Sequence, residues 1–321
     1  MENASHVTSF VLAAYGEMGY LQYLYFFILL VFFLIIICAN VTLIVVICVD
    51  ISLHKPMYIF LCSLSINQLY GSTALCPSLL VHILSNSHDI SRGVCLLQIF
   101  CLHTYGGCEL SNLAVMGYDR YVSICHPLHY NSIMSPSRVY KLIAFIWLFP
   151  ICTFGVNFIL TIRLPLCGSI IEKVYCDNFS VVRLSCINTN IVNIAGLIML
   201  IFNLGLPCVL IFYSYAKILR ICLKPSKESQ TKALRTCVPH LVTIINYMTA
   251  CLFELIQNRF NMSHVPYTVR IIISLYFLLF TPLLNPIIYG VKMQSIRNKL
   301  KKMICARKLA PELEISSVCQ T

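Results

Sequence analysis

Residues 22–49 read QYLYFFILLVFFLIIICANVTLIVVICV, with no Asp, Glu, Lys or Arg among them. A helix needs about 20 apolar residues to cross the ~30 Å hydrocarbon core of a bilayer, so this run is long enough to span it. Its apolar residues follow one another without the ten-residue alternation of an outer-membrane barrel. A helix satisfies its own backbone hydrogen bonds inside hydrocarbon, and the run is therefore read as a spanning helix. Working outward, comparable runs at 57–84, 94–124, 139–162, 191–220, 234–258 and 267–291 bring the number of spans to seven. The fold class expected is an all-α membrane protein, a seven-transmembrane helix bundle.

Composition agrees. The 321 residues are 59% hydrophobic and 11% charged, against roughly 25% charged in a soluble domain. The formal charge of +11 does not point to nucleic acid, because the basic residues fall in short loops without interleaved aromatics. They are instead biased by side. Seventeen of the 23 Lys and Arg fall on the ends that alternate with Lys55, Arg120, Lys217, Lys232 and the tail; six fall opposite, among them Arg92, Lys173 and Arg259. The positive-inside rule puts the N-terminus outside and the C-terminus in the cytosol. This divides the chain into an extracellular N-terminus (1–21), a seven-span bundle (22–291) and a cytoplasmic segment (292–321). The leader lacks the features of a cleavable signal peptide, and Asn3 opens a glycosylation sequon. Asn178 and Asn261 open two more, the first two residues after Cys176.

Within 292–308, Met293, Ile296, Leu300, Met303 and Ile304 recur every three or four residues among Lys and Arg. A short amphipathic helix on the inner leaflet is expected there, with Cys305 available for palmitoylation. Most of the 18 cysteines lie inside apolar runs and read as small core residues, and no pair of CxxC units has zinc-finger spacing.

Polar groups inside a bilayer are costly and usually functional. Glu109 lies within span three, and Asp119-Arg120-Tyr121 at its inner end. Cys95 and Arg120 are about 37 Å apart along a helix, so they belong at opposite faces. Cys167, Cys176 and Cys186 occupy a long external loop, and with Cys95 they allow three pairings that spacing alone does not separate.

Residues 116–128, MGYDRYVSICHPL, are similar to the MAYDRYVAICxPL signature of vertebrate odorant receptors. Residues 56–61 (PMYIFL), Ser214-Tyr215, residues 232–240 (KALRTCVPH, resembling KAxxTCxSH) and residues 281–289 (TPLLNPIIY, matching PxxNPxxY) follow in the family's order. Residues 224–228 (KPSKE) with His103 and Arg259 lean toward its fish-like, class I branch. The resemblance implies a rhodopsin-like G-protein-coupled receptor of olfactory cilia that works through a stimulatory G protein and cyclic AMP. It implies the pairs Cys95–Cys176 and Cys167–Cys186. It assigns Arg120 to a cytoplasmic latch oriented by Asp119, with Tyr121, Tyr215, His240, Asn285, Pro286 and Tyr289 in the same switch. It also implies a sodium or water cluster around Glu109, Asn40 and Asn285. Gln68 stands where the family carries Asp, which weakens the case for the cation, and Gly117 and Pro239 replace a common Ala and Ser.

A ligand site is expected between spans three, five, six and seven. His103, Gly106, Gly107 and Leu110 share one face of span three, the two glycines either opening space or allowing close packing. Asn203, Cys251, Leu255 and Tyr276 are expected as walls from other spans. Arg259 with His103 suits a carboxylate, since guanidinium binds it bidentately; Glu254 is the alternative, holding an ammonium. An acidic small ligand is the expectation. A retinal protein would need a lysine in 267–291, and there is none. A ligand-gated channel or transporter would show repeats or a polar stripe, and neither is seen. There is no nucleophile–base constellation for an enzyme and no cofactor motif.

Overall fold

The computed structural model describes residues 7–15, 19–222, 227–259, 265 and 267–300, and the statements below concern these. The helices are α1 (Leu21–Val49), α2 (Pro56–Leu84), α3 (Arg92–Cys125), α4 (Pro136–Ile162), α5 (Asn190–Leu200 continuing through Leu206–Cys222), α6 (Lys227–Arg259) and α7 (Tyr267–Leu275 continuing through Thr281–Lys292). Their starts follow local chemistry. Pro56 and Pro136 occupy the first helical turn, where a missing N–H costs nothing. The Ser91 hydroxyl caps α3 by accepting from the Val94 N–H. α6 begins at Lys227, seven residues before the apolar run, because a charged helical extension needs no hydrocarbon around it.

α5 and α7 each contain a π-helical turn, Ile201–Gly205 and Tyr276–Phe280. Such bulges commonly mark functional sites.

Six of the seven helices are long and apolar enough to cross a membrane by composition; α3 is the exception. α3 packs against α2, α4, α5 and α6, while α1 packs against α2 and α7. The central helix therefore faces protein rather than lipid along most of its length, and its polar residues are buried among neighbours.

The Cys95 end carries a small sheet that the sequence reading did not anticipate. β1 (Ser9–Leu12) pairs antiparallel with β2 (Asp89–Ser91) and parallel with β3 (Ile170–Ile171), in the order β2-β1-β3. Phe10 and Leu12 point inward and are fully buried, and the Tyr15 hydroxyl donates to the Val174 carbonyl at 2.7 Å. The leader is thus built into the cap by strand alternation. Both expected disulfides are formed, Cys95–Cys176 and Cys167–Cys186.

At the opposite end, residues 294–300 are helical, with Ile296 fully buried, Arg297 exposed and Lys299 paired with Asp50. That is the start of the expected amphipathic helix. Residues 301–308, with Cys305, lie outside the described part, as do the sequons at Asn3 and Asn261. The Asn178 carbonyl oxygen accepts from the Thr161 hydroxyl at 2.9 Å.

Candidate functional site

α3, α5, α6, α7 and the loop after α4 enclose a cavity of about 200 Å³. Leu102, Met199, Leu200, Leu204 and Phe277 give it an apolar wall. His103, Gly106, Gly107, Asn203, Cys251, Glu254 and Leu255 all line it. Tyr276 does not; its hydroxyl donates to Asn246 at 2.8 Å and its ring stacks on Phe280. Arg259 closes α6, and its side chain lies outside the described part.

The two glycines are packing sites. A Cβ on Gly107 would come within 2.6 Å of Pro150 on α4, and one on Gly106 within 3.3 Å of the Tyr247 hydroxyl. That hydroxyl donates to the Gly106 carbonyl at 2.7 Å, tying α6 to α3 at the cavity floor. Asn203, in the π turn of α5, pairs with the Thr153 hydroxyl of α4 at 2.9 Å. His103 stacks on Phe154 with ring centres 4.4 Å apart, and its Nδ1 donates to the Ile99 carbonyl at 2.9 Å. A carbonyl only accepts, so Nδ1 carries the proton and Nε2 of the neutral ring is an acceptor.

The roof comes from the loop pinned by the Cys95–Cys176 bond. The Cys176 N–H donates to Gln98 at 3.2 Å. One residue back, the buried Tyr175 donates its hydroxyl to Glu254. The Lys173 ammonium stands 3.5 Å from both Asp177 and Glu254. Burial acts to discharge Lys173, but the two carboxylates overcome it and hold its pKa above the ordinary value. Burial, followed by the adjacent Glu254 charge, drives the Tyr175 phenol well above its usual range, so it stays a donor. Sequence reasoning missed Lys173, Tyr175 and Asp177. Their one signal was proximity to Cys176, which the resemblance had already brought to the top of α3.

Below the cavity lies a buried polar axis. Glu109 is fully buried and accepts from Gln68 (2.7 Å), Asn67 (2.9 Å) and Asn285 (2.7 Å). Tyr105 donates to the Gln68 carbonyl oxygen at 2.9 Å, and Asn67 also donates to the Tyr105 carbonyl. Asn40 does not join this cluster; it donates to the carbonyls of Ile36 and Pro282 and ties α1 to α7. Sodium prefers oxygen ligands, as hard cations do. Here both carboxylate oxygens face amide N–H donors, and among the described residues no three His, Cys, Asp or Glu side chains converge. As arranged, both Glu109 oxygens accept from amides, while the side-chain oxygens of Asn67 and Asn285 are buried without partners among the described residues.

At the inner end Arg120 pairs with Asp119, whose other oxygen accepts from Tyr130 at 2.6 Å. Tyr121 hydrogen-bonds with His126 at 3.1 Å. Tyr215 and His240 stack and share a hydrogen bond between α5 and α6. Gly117 faces this pair: a Cβ there would make ordinary contact at 3.6 Å with His240. Asn285, Pro286 and Tyr289 are buried along α7. A cleft of about 670 Å³ opens beside Arg120, Tyr130, Pro239 and Met293.

A family model described as "Olfactory receptor" matches residues 29–307. The chain is 36% identical to human olfactory receptor 52D1 over 85% of its length and 86% of that protein's. It is 34% identical to human olfactory receptor 51E1, covering 94% and 95%. It is 32% identical to rat olfactory receptor 1496, covering 96% and 99%. Among solved structures, squid rhodopsin superposes with a TM-score of 0.70 at 17% identity, over 90% of this chain and 80% of that one.

Proposed function

Because the chain belongs to the olfactory receptor family, whose members are receptors and not enzymes, we propose that it receives a small odorant in the cavity between α3, α5 and α6 and signals through a heterotrimeric G protein at the Arg120 end. The observation that carries this reading is that one helix serves both places. α6 presents Cys251, Glu254 and Leu255 to the cavity and His240 to Tyr215. Cys251 and His240 are about 16 Å apart along the helix axis. A ligand that binds one packing of α6 better than another biases the two by its difference in affinity. A shift of α6 changes the Tyr215–His240 contact and the cleft beside Arg120, the surface offered to the G protein.

The finer parts of the reading follow from charge and resemblance. The basic bias of the Arg120 end supports a cytosolic placement for it, with the Cys95 end and the N-terminus outside. The amphipathic stretch after Lys292 rests on the inner leaflet of the plasma membrane. The G protein is of the stimulatory, olfactory type and raises cyclic AMP in the cilia of sensory neurons. The fish-like branch rests on residues 224–228, His103 and Arg259.

The test is a cyclic-AMP reporter in cells that express the chain with the olfactory G protein, screened with small amines, acids and neutral odorants. At least one compound is expected to raise cyclic AMP, and Arg120→Ala to abolish the response at unchanged surface expression. Receptor present at the surface but silent to the whole screen would refute the proposal.

A further inference from the structure

Among the described residues, the charges around the cavity do not balance. Asp177 and Glu254 both line it, and Lys173 stands 3.5 Å from each. Among the described residues, these two carboxylates share the Lys173 ammonium at distances longer than a well-formed charged hydrogen bond of about 2.7–2.9 Å. Glu254 is further served by the Tyr175 hydroxyl, but Asp177 is not. It is 3% exposed, and its Oδ1 has no hydrogen-bond partner. A buried acceptor left unmade carries a desolvation cost, larger when the group is charged, which a ligand donor would remove. Arg183, six residues after Asp177, is exposed and lies over the Phe179 ring.

The rest of the wall states what else the ligand carries. Phe179, Tyr247 and Phe277 line the space together with leucines and Met199. Aromatic rings suit a neighbouring cation through their quadrupole, and the leucines suit an apolar body. A volume of about 200 Å³ suits a small ligand.

We propose that this cavity takes a small protonated amine with an apolar body, its N–H groups received by Asp177 and Glu254 in competition with Lys173. The inference rests on the reading of the cavity as the odorant site, and it is opposite in sign to the acidic ligand expected from His103 and Arg259. Lys173 is then a built-in competitor: it occupies in the empty receptor the place that the ligand's ammonium takes.

The experiment uses the full-length chain in the reporter cells, with sets matched in shape and six to eight heavy atoms in size: primary amines such as cyclohexylamine, the corresponding alcohols such as cyclohexanol, and carboxylic acids such as cyclopentanecarboxylic acid. Amines are expected to be the activating class. Asp177→Asn should raise the half-maximal amine concentration at least tenfold, the loss of one charge-assisted hydrogen bond. Lys173→Met should lower it severalfold. Changes of opposite sign separate this role from a fold defect, which would weaken both variants, and Lys173→Met keeps the test alive if Asp177→Asn fails to reach the surface. Activation by acids or alcohols without amines overturns the inference and leaves the receptor reading standing. So does an amine response that Lys173→Met leaves unchanged or weakens. Silence of all three sets, with the wider screen silent too, removes the receptor reading itself.

Discussion

α1 and α3 are both long single helices, and they solve opposite problems. α1 turns Leu24, Phe27, Val31, Leu34 and Ile35 outward, and Asn40 is its one buried polar residue. α3 buries Gln98, Thr104, Glu109, Ser111, Asn112 and Asp119 and is the one helix too polar to be recognised as a span by composition. The reason is solvent. α1 meets hydrocarbon and is held by its apolarity; α3 meets other helices, where a polar group survives if its partners are in place. Apolarity therefore marks the helix that does least chemistry, and the cavity floor, the Glu109 axis and the Asp119–Arg120 pair all fall on the helix that composition does not mark as a span.

The comparison predicts that substitutions in α3 and its partners are felt and those on the outer face of α1 are not. The largest effect is expected for Glu109→Leu, which leaves the Asn67, Gln68 and Asn285 amides without their acceptor. At about 1–3 kcal/mol per buried group left unmade, the loss should reach about 3 kcal/mol or more. It is read as a drop in the thermal midpoint of detergent-purified receptor, and an unchanged midpoint would show that the axis holds nothing.

Gly71→Ala comes next. A Cβ there would sit 2.5–2.9 Å from the Tyr105 ring, so the ring must swing and its bond to Gln68 is lost. Overpacking of this kind costs about 1–3 kcal/mol. If the partner ring is the cause, adding Tyr105→Ala should recover part of the loss.

On α1 the contrast is internal. Asn40→Ala should cost about 1 kcal/mol through the lost tie to the Pro282 carbonyl, whereas outward-facing Leu34→Ala should stay within ~0.5 kcal/mol. Equal effects from the two would end the distinction drawn here.

The smallest effect belongs to the foot of α1, where Asp50 receives Lys299 from the helix after α7. Hydrogen bonds from Lys299 and then Ser52 lower the Asp50 pKa from 3.8 to about 2. A carboxylate lowered in this way contributes above pH 3.8, and its contribution is lost as the pH falls through about 2. A nitroxide at position 298 should become more mobile across that window, and Asp50→Asn should give the mobile spectrum at neutral pH.

Much of this was legible beforehand, for identifiable reasons. All seven helices were legible as long runs, 94–124 among them, although composition alone marks only the other six as spans. The DRY-type and NPxxY-type motifs are contiguous in sequence, so they were found where they stand. The cavity walls from α3 and α6 were legible through helical spacing, since His103, Gly106 and Gly107 share a face. Tyr276 was misplaced from the cavity because the π turn at Tyr276–Phe280 offsets the helical phase that spacing assumes. The fate of the Glu109 carboxylate was open, because the direction in which an amide points is set by its neighbours and not by its identity.

The sequence by itself determined that lipid is this protein's solvent, how many times the chain crosses it, and which family it belongs to, because each is written in local runs of a few to thirty residues. Tertiary structure alone decided that Asp177 lines the cavity while Lys173 and Tyr175 meet Glu254, that β1 joins the cap, and that Glu109 is surrounded by amide donors. Those arrangements join residues 41 to 176 positions apart, and no pattern along the chain encodes a contact between groups that only packing brings within 3 Å.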